Sequence, residues 1–545
     1  MVHDYADFED APPPAPGLAV GIALATAVLA VVFRFVRAHE GTDWFADDAY
    51  YYAVIARRLA ETGRATFDGI TPTNGFHPLL LWLEAAGYRL FGTTAGPVPD
   101  YLALVAATGA VFLATCVAGM VAAYRSGRAW VLFGAALVVA TLAQPRFASI
   151  FLDGMESVLV LPLLALVLAL AFRRRHSAAG LCAAGLVLAR LDTLPFVVVP
   201  LALACVLREA RAGRPAARAA LLLLGPSALA VAAFVLGNLR EFGHPLPISG
   251  SLKSTFPRIH FQPMNFFGNA EEQLGLRAAV LGAVLGAALL ALPGRLPSET
   301  RAAGLVAAAL ALGQALVLAL FEKWSKDTPA WYLAATLPLG TTAFALGLAH
   351  VLAPRALART AAVLAGLALA LQLAWISGRA GRLGPPFART LPFTAGVPNA
   401  SRELIARAIA TPPETVWAST DCGLWAFWSR RTFINLDGLV NDFAYQDRLR
   451  AKKLGQYLNE RRVRYLVLGV WNMTGHGIDP VYRHRAAPAL FAGTYEEASF
   501  FLYSHHWDAW SERVELPRRA EIWRSPPFPD GPRTARLVVF DLSRR

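Results

Sequence analysis

From residue 17 to residue 376 the chain is a succession of apolar runs separated by short polar breaks. The runs cover 17–36, 77–92, 100–123, 129–145, 155–172, 177–207, 218–237, 276–292, 301–321, 329–352 and 357–376. The 177–207 run is long enough for two short helices broken at Leu191-Asp192-Thr193-Leu194-Pro195. Set against the ~20 apolar residues a helix needs to cross a hydrocarbon core, this predicts a polytopic α-helical membrane protein of about 11–13 transmembrane helices. The first run is not read as a signal peptide. Its leading segment MVHDYADFED is acidic and no small-residue cleavage site follows, so residues 1–16 are an N-terminal tail before a retained span.

From about Gly378 the pattern changes. Pro, Arg and Asp become frequent and apolar runs shrink to strand length. TVWAS at 415–419, TFINLDG at 432–438, VRYLVLGV at 463–470 and the closing ARLVVFDL read as strands. CGLWAFW reads as a short helix, and NDFAYQDRLRAKKLGQYLNERR as one long amphipathic helix. Such alternation predicts a small parallel α/β domain with right-handed crossovers. The expected organisation is a tail at 1–16, a membrane domain at 17–377 with a first external loop at 37–76, and a soluble extracytoplasmic α/β domain at 378–545. Nothing in that last domain resembles a Gly-rich phosphate loop, which points to an acceptor-binding or structural cap.

Composition agrees with the membrane class. The chain is 56% hydrophobic and 16% charged, with a mean hydropathy of +0.43, whereas soluble domains carry about 25% charged residues. The net charge of +13 raises nucleic acid as a partner. The basic residues lie in short clusters, however, without a continuous aromatic-interleaved stripe, so no nucleic-acid partner is expected. Cys116, Cys182 and Cys205 lie inside apolar runs and Cys422 stands alone, which excludes a disulfide framework and a CxxC metal pair.

The basic clusters also give a direction. Arg125/Arg128, Arg173 to Arg175, Arg208 to Arg218, Arg295/Arg301 and Arg355/Arg359 fall in alternate loops, cytoplasmic by the positive-inside rule. The loops at 144–156, 238–275 and 321–329, and everything after Ile376, are then external. The first loop breaks the pattern, since Arg34 and Arg37 favour a cytoplasmic 37–76 segment. Reading 77–92, which carries Glu84 and Arg89, as an interfacial or re-entrant helix restores the parity.

Ionisable residues on the external side are the candidates for chemistry. Asp47 and Asp48 precede a helix whose Tyr50, Tyr51 and Tyr52 are interfacial aromatics. A carboxylate at a helix N-terminus is held ionised by the local dipole and free N–H groups, which suits a general base or a metal ligand and equally a plain cap. Asp153 and Glu156 open another span on the same side, again as site residues or caps. Arg190 and Asp192 are ionisable groups near membrane depth, functional or paired with each other. Lys253, in a loop rich in Gly, Pro and Ser, is a point charge able to hold a phosphate, or a solvated surface Lys. Arg258, Lys323 and Lys326 are further external cations. His77 beside Pro78, and Trp331-Tyr332 as an aromatic belt, complete the set.

The run DDAYYY…ARRLAETG…TFDGITPTNGFHPLLLWL is followed in order by GMES, LARLDTLPF, GHPLPISGSLK, WYLAATLPL and INLDGLVND. Together these resemble the polyprenyl-phosphate-sugar-dependent GT-C membrane glycosyltransferases. That superfamily includes the protein O-mannosyltransferases, the lipid A aminoarabinose transferase and the actinobacterial arabinofuranosyltransferases. The resemblance implies inverting transfer from a polyprenyl-phosphate sugar donor to a glycan, glycolipid or other envelope acceptor, at the outer face of a bacterial inner or plasma membrane. It makes Asp47 the base, Lys253 and then Arg190 the groups facing the leaving phosphate, and Asp48, Glu156 and Asp153 the residues that orient hydroxyls or hold a metal. Tyr51, His77, Asp192, Trp331 and Tyr332 are implied pocket residues. A divalent cation, Mg or Mn, is compatible with several carboxylates on one face, and members of the superfamily differ in metal dependence. The loop lacks the Asp-Glu pair typical of protein O-mannosyltransferases, so a protein acceptor is not indicated. Two other classes fit some of the features. A transporter or flippase of lipid-linked sugars would also carry broken helices and buried charges, but would be expected to show internal repeats. A membrane-anchored sensor would need far fewer spans.

Overall fold

The computed structural model describes residues 17–39, 45–92, 96–255, 258–259, 271–321, 330–380, 398–472, 499–506, 509–526, 528–530 and 533–544. The N-terminal tail, Lys323 and Lys326 lie outside them.

Every apolar run becomes a helix, or two. In chain order these are α1 (Gly17–His39), α2 (Asp47–Thr62), α3 (Pro78–Phe91), α4 (Pro97–Arg125), α5 (Ala129–Leu142), α6 (Pro145–Leu152), α7 (Ser157–Phe172) and α8 (His176–Ala189). A π-turn at Leu194–Val198 leads into α9 (Val199–Arg211), followed by α10 (Ala216–Phe242), α11 (Ile248–Lys253), α12 (Glu271–Ala291) and α13 (Ser298–Phe321). A 3-10 turn at Ala330–Leu333 precedes α14 (Thr336–Val351) and α15 (Pro354–Ala380). Among the described residues six helices are long and apolar enough to cross a membrane, and four more are apolar but shorter. Outward-facing side chains such as Leu221, Leu229 and Leu236, 65–73% exposed, line one side of α10 at near-helical spacing. Such an apolar band, unpaired by protein, is the surface a bilayer covers. Inside the bundle small residues let backbones touch: a Cβ on Gly286 would overlap the main chain of Ala343, the close approach expected where lipid leaves packing to hold helices together.

The break predicted at 191–195 is present. Arg190 leaves helical geometry at φ −154°, ψ 105°, and the Thr193 hydroxyl donates to the Arg190 carbonyl at 2.6 Å. The turn sets a short irregular segment at the end of the bundle where α3 begins, with Leu191 N facing His77 Nδ1 at 3.4 Å.

Helices α2 and α3 stay at that same end. Arg34 near the end of α1 pairs with Asp153 at 3.4 Å, and Asp100 in the first turn of α4 pairs with Arg430 of the C-terminal domain at 3.0 Å. The end of α1 and the start of α4 lie together, since the Phe45 ring meets Arg34 at 5.4 Å and Tyr101 at 5.2 Å. At 14 residues, α3 is roughly 21 Å long, short of a ~30 Å hydrocarbon core. Arg34, which confuses the charge pattern, is absorbed by Asp153 and by the Phe45 ring at 5.4 Å. The 144–156 loop also holds an unpredicted short helix, α6.

The C-terminal domain opens with α16 (Pro398–Ala410). Strands β1 (Val416–Ser419), β2 (Thr432–Asn435), β3 (Val463–Asn472), β6 (Glu521–Arg524), β7 (Phe528–Asp530) and β8 (Arg533–Asp541) form one sheet, ordered β2-β1-β3-β8-β6 with β7 on β8. A separate hairpin joins β4 (Ser499–His506) to β5 (Ala509–Pro517). The pairs β1–β2 and β1–β3 are parallel, but β8 runs antiparallel to β3 and β6, so the sheet is mixed, not purely parallel. The single long helix expected over 441–462 is two, α18 (Phe443–Arg450) and α19 (Leu454–Glu460), interrupted where Lys452 takes φ +57°. Alternation sorts the strand side chains between two cores. Ala418, Ile434 and Leu466 pack with Tyr445, Leu449 and Leu458 of α18 and α19, whereas Trp417, Phe433 and Val467 share a core with Tyr50, Tyr51 and Ile55 of α2. Between sheet and α2 lies α17 (Gly423–Ser429).

Candidate functional site

Neither acid of the pair in the first turn of α2 caps its own helix. Asp47 caps another one. Its Oδ2 accepts from Gly423 N at 3.0 Å and its Oδ1 from Leu424 N at 2.8 Å, at the start of α17, which lacks a side-chain cap of its own. These are two of the donors any helix start leaves unpaired. Burial outweighs the lowering effect of the two amide bonds and, with the neighbouring Asp48 charge, leaves the Asp47 carboxyl raised to about 7.

Asp48 faces the other way. Its Oδ2 accepts from Lys253 Nζ at 2.9 Å, with both side chains mostly buried. Burial lowers the Lys253 ammonium, but the Asp48 carboxylate outweighs it and holds the pKa above the ordinary range. Lys253 is placed by the TNG segment. Asn74 Oδ1 accepts from Ile248 N at 3.1 Å and its amide donates to the Leu246 carbonyl at 3.4 Å. The neighbouring Thr73 hydroxyl donates to the Asn441 carbonyl at 2.9 Å, and a Cβ on Gly75 would overlap the Leu439 carbonyl. Three motifs far apart in sequence, TNGFHP, GHPLPISGSLK and INLDGLVND, thus meet at one place.

A third group surrounds Arg190. Its Nη1 donates to Glu156 Oε1 at 2.9 Å and to the Trp331 carbonyl at 3.1 Å, and its Nε lies 3.0 Å from Asp192 Oδ1. The guanidinium stacks over Tyr332, 4.5 Å from the ring centre. Gln314 in α13 donates to Asp192 Oδ2 at 3.1 Å. His77 joins the groups: its amide donates to Tyr52 Oη at 2.9 Å, its Nδ1 faces Leu191 N at 3.4 Å, and its Nε2 lies 3.8 Å from Glu156. Burial lowers its pKa, and the charges of Glu156, Arg190, Asp192 and Lys253 all reach it.

The structure therefore brings together Asp47, Asp48, Tyr51, His77, Glu156, Arg190, Asp192, Lys253, Trp331 and Tyr332. Asp153 turns instead to Arg34. Four residues escaped the sequence reading. The Tyr51 hydroxyl donates to Asp437 Oδ2 at 3.1 Å and accepts from Asn435 Nδ2 at 2.9 Å. Asp421, its backbone at φ +43°, donates its amide to the same Asp437 oxygen at 3.2 Å. Burial raises the Asp421 carboxyl well above the usual range, helped by the charges of Asp437, Asp47 and Asp48. The INLDGLVND motif signalled Asn435 and Asp437, and Gln314 stands out as the single amide in the apolar stretch of α13; Asp421 had no signal. As cation ligands the acids are compromised, since Asp48 and Glu156 each face a basic side chain at 2.9 Å. Among the described residues no group of three or more His, Cys, Asp or Glu could hold a metal ion.

A family model described as a domain of unknown function (DUF8728) matches residues 398–523. No curated protein matches the sequence. Among solved structures, ArnT from Cupriavidus metallidurans bound to undecaprenyl phosphate is similar over 96% of this chain and 98% of its own, at 15% identity and a TM-score of 0.51. The same ArnT in the apo state covers 81% and 92% at 16% identity and 0.49. The archaeal oligosaccharyltransferase AglB from Archaeoglobus fulgidus, in complex with an inhibitory peptide and a dolichol-phosphate, covers 91% and 75% at 14% identity and 0.49. With its apolar spans and the ArnT-like arrangement along nearly the full length of both chains, this is an integral membrane protein with a GT-C-like fold.

Proposed function

We propose that the protein transfers a sugar from a polyprenyl-phosphate carrier to a hydroxyl of a cell-envelope acceptor, by inverting displacement at the extracytoplasmic face of a bacterial inner membrane. The observation that carries this reading is the division of the acidic pair. Asp47 faces the C-terminal domain and Asp48 faces Lys253, so adjacent residues of one helix serve two sides of one centre. Inverting displacement needs that arrangement, with a base on the acceptor side and a cation on the leaving-group side.

In this scheme the acceptor hydroxyl loses its proton to Asp47, its oxygen bonds to the anomeric carbon, and the bond from that carbon to the phosphate oxygen breaks. Each Asp47 oxygen already accepts one amide bond, and a carboxylate oxygen has a second lone pair for the hydroxyl. A carboxyl pushed up to about 7 suits a base working near neutral pH. The departing lipid phosphate keeps the electron pair, and its charge is met by Lys253, which exchanges Asp48 for the phosphate. The ArnT structure that shares the fold was solved with undecaprenyl phosphate bound, which supports this class of carrier. The C-terminal domain, seated on Asp47 and Tyr51, forms the acceptor side. Arginine-rich loops at the far end of the bundle support the stated orientation.

The test uses membranes from cells making the wild type or Asp47→Asn, supplied with a labelled undecaprenyl-phosphate sugar. Wild type should move label into envelope material and release undecaprenyl phosphate, and the variant should do neither. Transfer by the variant at the wild-type rate would remove Asp47 as the base.

A further inference from the structure

The Arg190 group contains more acceptors than donors. Glu156 and Gln314 are each 1% exposed, and Glu156 Oε2 and Gln314 Oε1 are buried without a hydrogen-bond partner. Buried polar atoms left in this state cost about as much as a lost hydrogen bond, so two in one connected group call for an explanation. They are connected: Arg190 binds Glu156 and Asp192, and Gln314 binds Asp192. Every free atom is an oxygen that can only accept. The group also holds two carboxylates against one guanidinium, a combination that repels an anion. Gln314 lies seven residues before the end of α13, about 10 Å along the helix from the face where Lys253 sits. Tyr332 is shared by both, stacked under Arg190 and within the field of Lys253.

We infer that Glu156 and Gln314, bridged by Arg190 and Asp192, form the subsite for the transferred sugar, and that this sugar carries no negative charge and presents at least two ring substituents as donors to them. This rests on the lipid-phosphate reading above and deepens it: Lys253 holds the phosphate, and the orphan oxygens receive the hydroxyls of the sugar attached to it. Arg190 becomes a positioning residue that fixes both carboxylates, its charge already spent on them. A uronic acid or phosphorylated sugar would bring a negative charge against two carboxylates and is excluded.

The test compares binding of three probes to the full-length protein in nanodiscs: undecaprenyl phosphate, undecaprenyl-phosphate glucose and undecaprenyl-phosphate glucuronate. Wild type should bind the glucose lipid about tenfold or more tighter than the bare phosphate, and the glucuronate lipid no better than the bare phosphate, the gain being of the size of two hydrogen bonds. Gln314→Leu, which keeps the volume and removes both the free acceptor and the donor to Asp192, should cut the advantage of glucose about fivefold and leave bare-phosphate affinity unchanged. Gln314→Asn retains both the carbonyl acceptor and the N–H donor type on a shorter arm and should keep more of that advantage than the leucine variant, which controls for a packing effect. An unchanged ratio in Gln314→Leu, or equal binding of the glucose and glucuronate lipids, overturns the sugar subsite while leaving the carrier reading intact. Failure of wild type to bind even undecaprenyl phosphate removes the carrier reading itself.

Discussion

The Gly423 amide donates to Asp47 Oδ2 at 3.0 Å across a sequence separation of 376 residues, so the first acid of α2 holds down the first turn of a helix in the C-terminal domain. The same contact excludes a side chain at Gly423, whose Cβ would overlap the Asp47 carbonyl oxygen and press on the Tyr51 ring. The proposed base and the docking of the C-terminal domain therefore depend on one carboxylate.

Gly423→Ala should loosen this joint. Overpacking of such a contact costs about 1–3 kcal/mol, and the obstructing atom is backbone, so it cannot rotate away. Faster limited proteolysis of the C-terminal domain and loss of transfer are expected, and a variant with wild-type protection would show that α17 docks without this contact.

Asp47→Asn should lower transfer by about 10²–10⁴-fold, the usual worth of a positioned base. It should also destabilise the protein by about 1–3 kcal/mol, because the amide offers one acceptor to two backbone donors. Thermal unfolding alongside the transfer assay separates the two effects.

Transfer should rise with pH through about 7 and level off above it, because burial keeps Asp47 protonated up to that value and only the carboxylate accepts the hydroxyl proton. The linked stability runs the other way. The folded value lies above the ordinary 3.8, so this group's contribution is full below that ordinary value and is lost as pH rises through about 7. A rate that falls over this interval would contradict the assignment.

Lys253→Met should weaken binding of undecaprenyl phosphate by about 10–100-fold, the range for a charge-assisted hydrogen bond, while Lys253→Arg keeps part of the affinity. Asn74→Ala should give a smaller loss in the same direction without touching the lipid, since Asn74 ties down the segment leading to Lys253 through Ile248 and Leu246. Equal affinities in all three variants would place the phosphate elsewhere.

The orientation is open to direct labelling. In a background lacking the native thiols, a cysteine replacing the exposed Thr62 should react with an impermeant thiol reagent from outside intact cells, and one replacing the exposed Arg173 only after lysis. The reverse pattern would turn the bundle over.

Much of this was legible along the chain. Apolar runs announced the helices, and the break after Arg190 was marked by Asp192 and Pro195, because burial and proline act locally. The acidic pair, Lys253 and the Arg190 group stood out because charges next to apolar helices are costly wherever they occur. What each acid faces was not legible. Asp47 could cap its own helix or serve a partner, and only the fold shows that its partners are Gly423 and Leu424. The mixed sheet was hidden as well, since β8 is a strand by pattern in either direction and its antiparallel pairing with β3 depends on the route of the chain between them.

The sequence by itself determined the membrane class, the helix positions, the strand-bearing C-terminal region and most of the charged residues at the site, all properties of local hydrophobicity and charge. Only the tertiary structure decided that Asp47 and Asp48 point to different partners, that the C-terminal domain brings Asp421, Asn435 and Asp437 to the first loop, and that Gln314 completes the group around Arg190. Those are contacts between residues a hundred or more positions apart, and they are set by how helices pack and which buried donors remain to be met, quantities that no local pattern contains.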